Sequence, residues 1–264
     1  MRVFISADIE GVAGIAHKSE TDGSPDYRYF AEQMTREVAA AARAAASRGA
    51  TRIVVRDGHY TARNILPLEL PTDVMLLREW SGSPLSMMTG IDAGFDAALL
   101  IGYHSGAGVA GNPLSHTLNG STVARLEING APASEFHVNA YPAASYGVPV
   151  VFVSGDLALT ETVKAVNPAI RTVATGVGDG PSVMAKHPIR VVNEIESEVL
   201  AALTETIPPV ELPPSFDCHI HYLHHRLTNR PSFYPGMERL GDTCLRFASD
   251  TWFDVLSMLA FCIN

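Results

Sequence analysis

The chain has 264 residues, of which 47% are hydrophobic and 18% are charged, and its mean hydropathy is +0.11. This composition is typical of a globular protein and excludes a mainly disordered chain. The formal net charge of −9, in a sequence without a basic run, argues against nucleic acid and anionic membrane surfaces as partners.

Predicted strands and helices alternate through the first part of the chain. Strands are expected at Arg2–Ser6, Thr51–Arg56, Asp96–Gly102, Val148–Ser154 and Ile170–Ala174, with another short strand within Leu66–Leu77. Helices are expected at Tyr27–Arg48, near Ser83–Gly90, at Leu157–Val166 and, interrupted by Pro188, at Ser182–Leu203. This alternation predicts an α/β fold, doubly wound, with a mainly parallel sheet.

Two parts of the chain depart from this alternation. Asn129-Gly130 lies between the extended segments Ser121–Ile128 and Ala131–Ser134, which favours a type I′ turn and an antiparallel hairpin insertion. After the proline-rich segment Ile207–Ser215, the pattern changes to two strands and a final helix, at Phe216–His221, Thr243–Phe247 and Thr251–Ile263. We therefore predict a larger α/β domain over residues 1–206 and a smaller α+β C-terminal region over residues 207–264.

The cysteines and the apolar runs bear on the location of the protein. Cys218, Cys244 and Cys262 are widely spaced and form no CxxC pair, which predicts neither a disulfide framework nor a thiolate zinc site. The N-terminus enters a strand pattern directly, and the late apolar run Val255–Ile263 is too short to span a bilayer. We therefore expect a cytoplasmic protein that does not enter a membrane.

Acidic and histidine side chains follow three of the predicted strands. Asp8 and Glu10 come just after the first strand and share one face if the extended conformation continues. His59 ends the motif RDGH after the second strand, and His104 ends the motif IGYH after Asp96–Gly102. Because ligands in open α/β sheets bind outside the carboxyl ends of the strands, we expect these four side chains in one crevice. Any one of them alone is more typical of a surface pair or a structural imidazole.

The residue types at this edge point to a metal. Two neighbouring carboxylates repel each other unless a proton or a cation lies between them. Imidazole and carboxylate ligands without cysteine suit zinc, and a carboxylate that bridges two ions suits a hydrolase. Glu135 is a fifth candidate ligand at the start of a predicted short helix, where interaction with the helix dipole is the alternative. Asp57 is placed either to orient His59 or to cap the turn.

Five motifs occur in order along the chain: DIEG at 8–11, RDGH at 56–59, IGYH at 101–104, SHT at 115–117, and the run ING-x3-SE-x3-NAY at 128–141. Their order and approximate spacing are similar to those of the bacterial zinc D-aminopeptidase family that is found with dipeptide-transport systems. The chain resembles this family over nearly its whole length. Five ordered motifs are far more specific than any one of them.

The resemblance implies two zinc ions, with Asp8 as the bridging ligand and the full ligand set Asp8, Glu10, His59, His104 and Glu135. It also implies that His116 is an additional active-site histidine, proposed in the family to act as nucleophile or base. Chemistry alone favours a metal-bound hydroxide as the attacking group, with His116 as proton carrier or stabiliser of the tetrahedral intermediate. Whether His116 is the nucleophile or base, or instead the proton carrier or stabiliser, stays open at this point. The alternative that His116 only fixes the SHT loop also stays open.

The resemblance further implies an aminopeptidase that releases an N-terminal D-residue from short peptides, and a ring-shaped homo-oligomer. A first rival hypothesis is an amidase, esterase or L-aminopeptidase with the same metal site. A second is a solute-binding or scaffold protein that has the fold but no enzymatic activity. The chain departs from the family at Pro142, where the family continues a helix, and at Phe136-His137, where a smaller pair is usual. We therefore expect an altered pocket size. Asn139 and Tyr141 are weaker candidates for the pocket.

Overall fold

The computed structural model describes residues 1–263, which contain thirteen β-strands and five α-helices. The strands β1 to β13 are, in chain order, Arg2–Ala7, Arg52–Asp57, Val74–Leu77, Ala97–Tyr103, Val123–Ile128, Ala131–Pro132, Val150–Gly155, Arg171–Ala174, Gly176–Asp179, Ser182–Ala185, Phe216–Tyr222, Glu238–Arg239 and Cys244–Ser249. The helices α1 to α5 are Tyr27–Ser47, Glu135–Ser145, Leu157–Val166, Pro188–Ala202 and Trp252–Cys262. Short 3-10 turns lie at Lys18–Glu20, Pro67–Glu69, Ser86–Met88, Ile91–Ala93, His225–Thr228 and Pro231–Phe233.

Six strands form a parallel sheet in the order β3-β2-β1-β4-β7-β8. Ile5 in β1 pairs with Val55 of β2 on one side and Leu99 of β4 on the other. The central strands are apolar and buried, as expected for a parallel sheet covered by helices. The strand order reverses between β1 and β4, which creates a crevice at their carboxyl ends. The prediction of a doubly wound α/β fold is confirmed.

Helix α1 ends where the sequence predicts. Alanine, the best helix former, fills much of its second half, and its buried face packs against α4 and the sheet. Gly49 follows the helix with φ of 76°. The N–H groups of Gly49 and Ala50 donate to the carbonyls of Ala46 and Ala45, which is the Schellman arrangement. A glycine at this position therefore sets the end of the helix.

A second sheet is antiparallel and has the strand order β12-β13-β11-β5-β6. Asn129 and Gly130 join β5 to β6 with φ of 52° and 78°, as a type I′ turn requires. Cys218 in β11 pairs with Ile128 in β5, so the C-terminal strands extend the sheet that the hairpin begins. The hairpin insertion and the α+β character of the C-terminal part are confirmed. The division of the chain at residue 207 stays a prediction.

The segment predicted as one helical region, Ser182–Leu203, contains two different elements. Its first residues form β10, which pairs with β9 in a two-stranded antiparallel hairpin. Helix α4 begins only at Pro188. The N–H of the first helical residue has no partner within the helix, so a proline, which lacks this group, is well suited to that position. His187 caps this helix by accepting a hydrogen bond from the Ile189 N–H. Pro188 is therefore the first residue of the helix and does not interrupt it.

Helix α2 continues past Pro142, which lacks the N–H that the Val138 carbonyl would otherwise accept. The indole Nε1 of Trp252 donates to this carbonyl at 3.2 Å. Trp252 is the first residue of α5, so the same bond fastens α5 against α2. The proline therefore leaves the helix intact and creates an acceptor for the neighbouring helix. None of the helices in residues 1–263 is long and apolar enough to cross a bilayer.

Glu37 is a buried carboxyl in the middle of α1. Its Oε1 accepts hydrogen bonds from the Ala13 N–H at 3.0 Å and from Gln33 Nε2 at 3.1 Å. Its Oε2 has no partner. Burial raises the pKa of Glu37 from 4.5 to about 7. Because Ala13 belongs to the loop after β1, Glu37 holds that loop against the helix.

Glu37→Gln is expected to stabilise the protein relative to wild type as the pH rises. The raised pKa means that the folded state binds the Glu37 proton more tightly than the unfolded state does. This proton therefore contributes its full stabilisation of the wild type below pH 4.5, and the contribution is lost as the pH rises through 7. At 1.36 kcal/mol per pKa unit, the wild type loses roughly 3 kcal/mol by about pH 8. The measurement is the free energy of unfolding in urea at about pH 5 and about pH 8.

The free energy of unfolding of the variant must be compared with that of the wild type at the same pH. Burial lowers the pKa of His137 to about 4, which contributes a pH dependence of opposite sign in both proteins. Glu32→Gln changes a partly exposed carboxyl on the same helix and is the matched control. If the free energies of unfolding of Glu37→Gln and wild type differ by the same amount at both pH values, the raised pKa of Glu37 is contradicted.

Candidate metal centre

The predicted site residues meet at the carboxyl ends of β1, β2 and β4. Asp8 follows β1 directly, His104 follows β4 directly, and His59 lies two residues after β2. Glu10 lies in the loop after β1, and Glu135 is the first residue of α2. These five side chains are buried. His116, in the loop between β4 and β5, joins them with 23% of its side chain exposed.

Asp8 and Glu10 converge through a turn and not through a continued strand. The Val12 N–H donates to the Ile9 carbonyl, so the chain bends directly after Asp8. Gly11 makes the bend possible, because a Cβ at this position would lie 1.7 Å from the Tyr103 carbonyl oxygen. The glycine of the DIEG motif therefore allows the loop to pack against β4.

Asp8 lies between two imidazoles. Its Oδ1 is 3.3 Å from His59 Nδ1, and its Oδ2 is 3.5 Å from His104 Nε2. Glu10 Oε2 is 3.0 Å from the same His59 Nδ1. The two oxygens of one carboxylate thus face different histidines.

Glu135 lies beside His104 and His116. Its Oε1 is 3.7 Å from the Nε2 atom of each histidine. The two imidazole rings are stacked, with centroids 4.4 Å apart and planes at 17°. The Leu118 N–H donates to the same carboxylate oxygen at 2.8 Å. Glu135 is therefore held in place by the loop that carries His116.

Each of the three histidines has one ring nitrogen anchored on a backbone carbonyl. His59 Nε2 is 2.9 Å from the Thr21 oxygen, and His104 Nδ1 is 2.9 Å from the Ser105 oxygen. His116 Nδ1 is 2.8 Å from the Leu114 oxygen. A nitrogen that faces a carbonyl carries a proton, so the other nitrogen faces the cluster and is the one that a metal ion can use once the imidazole is neutral.

The cluster fits a divalent metal such as zinc. Asp8 Oδ2, Glu10 Oε2 and His104 Nε2 are buried and have no hydrogen-bond partner, which costs about 1–3 kcal/mol for each group. Ligand atoms of Asp8, Glu10 and His104 lie within 4.8 Å of one another. The same holds for His104, His116 and Glu135. Nitrogen and oxygen donors without sulfur are a common zinc ligand set.

Burial and crowded charges shift the protonation of the cluster. Burial raises the pKa of Asp8 well above its usual range, and the Glu10 carboxylate raises it further. Burial also opposes ionisation of Glu10, but His59 and His104 outweigh it and lower the pKa of Glu10. For His59, burial lowers the pKa, whereas Glu10 and Asp8 raise it to a net value well above normal. Without a cation the cluster therefore shares protons, which a divalent cation displaces.

Asp57 organises the turn after β2 and is not among the hydrogen-bond partners of the His59 ring. Its carboxylate accepts hydrogen bonds from the N–H groups of Asn64 and Ile65 and from Asn64 Nδ2. Asn64 Nδ2 also donates to the His59 carbonyl at 2.7 Å. Of the two roles predicted for Asp57, the structure therefore shows the turn-capping one.

Sequence reasoning missed Asp156, which supports the His104 loop. Its carboxylate accepts hydrogen bonds from the Ser105 N–H at 2.7 Å and the Ser105 hydroxyl at 2.5 Å. It also caps α3 by accepting from the Leu159 N–H. The available signal was an aspartate directly before a predicted helix, which indicates a cap but no link to His104.

A cavity of about 460 Å³ opens onto the cluster and is lined in part by Asp8, His59, His116 and Glu135. Asn139 and Tyr141 do not line it. Asn139 Nδ2 instead donates to the Tyr103 hydroxyl at 3.0 Å, and Tyr141 packs edge-on against Trp252. These two weaker candidates therefore support the packing behind the site.

A doubly wound sheet with buried carboxylates and imidazoles at its switch point defines a metal-binding α/β protein of the kind found among hydrolases. A family model, Peptidase_M55, described as D-aminopeptidase, matches residues 1–261. The chain belongs to this family, which confirms the resemblance drawn from the motifs.

Two relatives agree with this assignment. A D-aminopeptidase of Bacillus subtilis (strain 168) is 29% identical over 177 residues, which cover 66% of this chain and 63% of that protein. The chain thus aligns with somewhat less than two thirds of that relative's length. The solved structure of the Zn-dependent D-aminopeptidase DppA from Bacillus subtilis, described as a self-compartmentalizing protease, superposes with a TM-score of 0.91 at 25% identity. The superposition covers 98% of this chain and 95% of DppA.

Proposed function

We propose that the protein is a dinuclear zinc aminopeptidase that releases an N-terminal D-amino acid from short peptides. The family assignment and the zinc dependence of the solved relative support the peptidase class. The observation that carries the proposal is a buried cluster of carboxylates and imidazoles in which Asp8 Oδ2, Glu10 Oε2 and His104 Nε2 lack hydrogen-bond partners. A pair of cations satisfies these atoms.

Asp8, Glu10, His59, His104 and Glu135 would hold the zinc ions, and Asp8 would be the bridging residue because its oxygens face two histidines. Zinc, when bound, supplies a Lewis acid for the scissile carbonyl and activates water.

His116 is the proton carrier in this proposal. Its Nδ1 faces the Leu114 carbonyl, so Nε2 is the nitrogen that accepts a proton. This Nε2 lies at the cavity, 3.7 Å from Glu135 Oε1. It can take a proton from the attacking water and return it to the leaving amine, which is the usual task of a general acid–base group.

Metal content and substrate range test the proposal together. Protein dialysed against zinc is expected to hold about two equivalents per chain, and a chelator is expected to remove metal and activity reversibly. A panel of D- and L-aminoacyl anilides, amides and esters then identifies the reaction. Hydrolysis confined to L-residues, amides or esters indicates one of the rival enzymes on the same metal centre. Failure to take up zinc contradicts the proposal, as does zinc uptake without hydrolysis of any substrate.

Assembly and location belong to the same proposal. The solved relative is described as self-compartmentalizing, and we infer a ring-shaped homo-oligomer for this chain. Large apolar side chains at the surface, such as Leu68, Met184 and Phe233, are compatible with contacts between copies. The free cysteines Cys218, Cys244 and Cys262 suit a reducing compartment. We therefore propose a cytoplasmic location.

A further inference from the structure

The cavity beside the metal centre has two chemically different parts. Its carboxylates and imidazoles belong to Asp8, His59, His116 and Glu135. The other lining residues are mainly apolar and include Met87, Leu118, Val138, Leu256, Leu259 and Ile263. No lysine or arginine of the described chain is among them. This apolar lining therefore offers contact to an apolar group but no counter-charge to an anionic one.

Helix α5 supplies much of the apolar lining. The bond from Trp252 Nε1 to the Val138 carbonyl docks the first turn of α5, and Leu256 and Leu259 are buried one and two turns later. Phe261, close to the end of the helix, is 64% exposed although it lines the cavity. Tyr60 and Trp80 are other lining residues with large exposed fractions. These three aromatic side chains mark the opening of the cavity.

The backbone around the cavity is held in an unusual conformation. Tyr60, Ser86 and Leu118 have φ of 45°, 47° and 63°, in the left-handed region that non-glycine residues rarely adopt. All three line the cavity. Each such residue costs on the order of 1–3 kcal/mol and persists only where the surrounding structure holds it. The shape of the cavity is therefore fixed by the fold around it.

We propose that this cavity is a subsite for a bulky apolar side chain, so that the protein prefers an N-terminal D-leucine or D-phenylalanine to D-alanine. The inference rests on the proposed aminopeptidase function. A methyl group leaves most of about 460 Å³ unfilled. Each further methylene buried in an apolar pocket raises kcat/KM about 10-fold or more. An acidic side chain loses its hydration against the apolar lining, where no lysine or arginine of the described chain offers a counter-charge.

The first test is a series of D-aminoacyl p-nitroanilides with the zinc-loaded enzyme. We expect kcat/KM for D-leucine and D-phenylalanine to exceed that for D-alanine by at least about 10-fold, and D-glutamate to be the poorest substrate. Equal or faster hydrolysis of the D-alanine substrate overturns the subsite and leaves the proposed aminopeptidase function intact. Absence of hydrolysis for every member of the series overturns both.

The second test changes the lining at an exposed position. Phe261→Ala is expected to lower kcat/KM for the D-phenylalanine substrate about 5-fold or more through KM, because apolar contact is lost in the bound state. Phe253→Ala is the matched control, since Phe253 is a half-exposed phenylalanine on the same helix that does not line the cavity. The control should match wild type. Equal effects of the two variants, or an effect of Phe261→Ala on kcat alone, overturn the assignment.

Discussion

Asp8→Ala is expected to lose both zinc ions and peptide hydrolysis together. The two oxygens of Asp8 face His59 and His104, at 3.3 and 3.5 Å, so in the proposed dinuclear centre its removal would take a ligand from both ions. Loss of the metal removes carbonyl polarisation and water activation at once, and kcat/KM should fall by at least about 10³-fold. Metal content by mass spectrometry and hydrolysis of a D-aminoacyl anilide are the measurements.

The variant should fold, which makes the result interpretable. Asp8 Oδ1 accepts the N–H of Ile9, the next residue, and lies 3.3 Å from His59 Nδ1, whereas Oδ2 has no hydrogen-bond partner. Removing a buried acid of this kind relieves its desolvation cost in the metal-free protein. Glu10→Gln is the graded comparison, because Glu10 contacts His59 alone among the histidines of the cluster. It should lose about one zinc equivalent. Full zinc occupancy in a folded Asp8→Ala protein contradicts the bridging role.

The elements that the sequence predicted well are those with local causes. Gly49 marks the end of α1 because a left-handed residue closes the helix, and Asn129-Gly130 marks a type I′ turn for a similar reason. The parallel strands are continuous apolar runs. The ends of those runs located Asp8, His59 and His104, because carboxyl ends of parallel strands share one edge. Glu135 was placed by its position at the start of α2.

The features that the sequence could not predict depend on distant partners. The segment Ser182–Ala185 becomes a strand by pairing with β9, which its own residues do not dictate. The bond from Trp252 to the Val138 carbonyl joins positions 114 residues apart, so the contribution of α5 to the cavity was not visible. The left-handed conformation of Leu118 carries no sequence signal, because leucine rarely adopts it. Tertiary packing decided each of these features.

His116→Ala is expected to keep both zinc ions and to lower kcat about 10²- to 10⁴-fold, the range typical of a lost general acid–base group. The structure also permits a different outcome, since ligand atoms of His116, His104 and Glu135 lie within 4.8 Å of one another. If His116 is a ligand, its replacement removes about one zinc equivalent along with activity. Zinc content measured on the same sample as kcat therefore separates the two roles.

A third role, in which His116 only fixes its loop, is tested by Ser115→Ala. The Ser115 hydroxyl donates to the Asn112 carbonyl at 2.7 Å, and His116 Nδ1 bonds to the Leu114 carbonyl at 2.8 Å, so both side chains anchor the same loop. Only His116 also lines the cavity. A proton carrier predicts a large loss of kcat for His116→Ala and a change within about 3-fold for Ser115→Ala. Comparable losses in the two variants, with zinc retained in both, mean that the imidazole acts through the loop and that another group carries the proton.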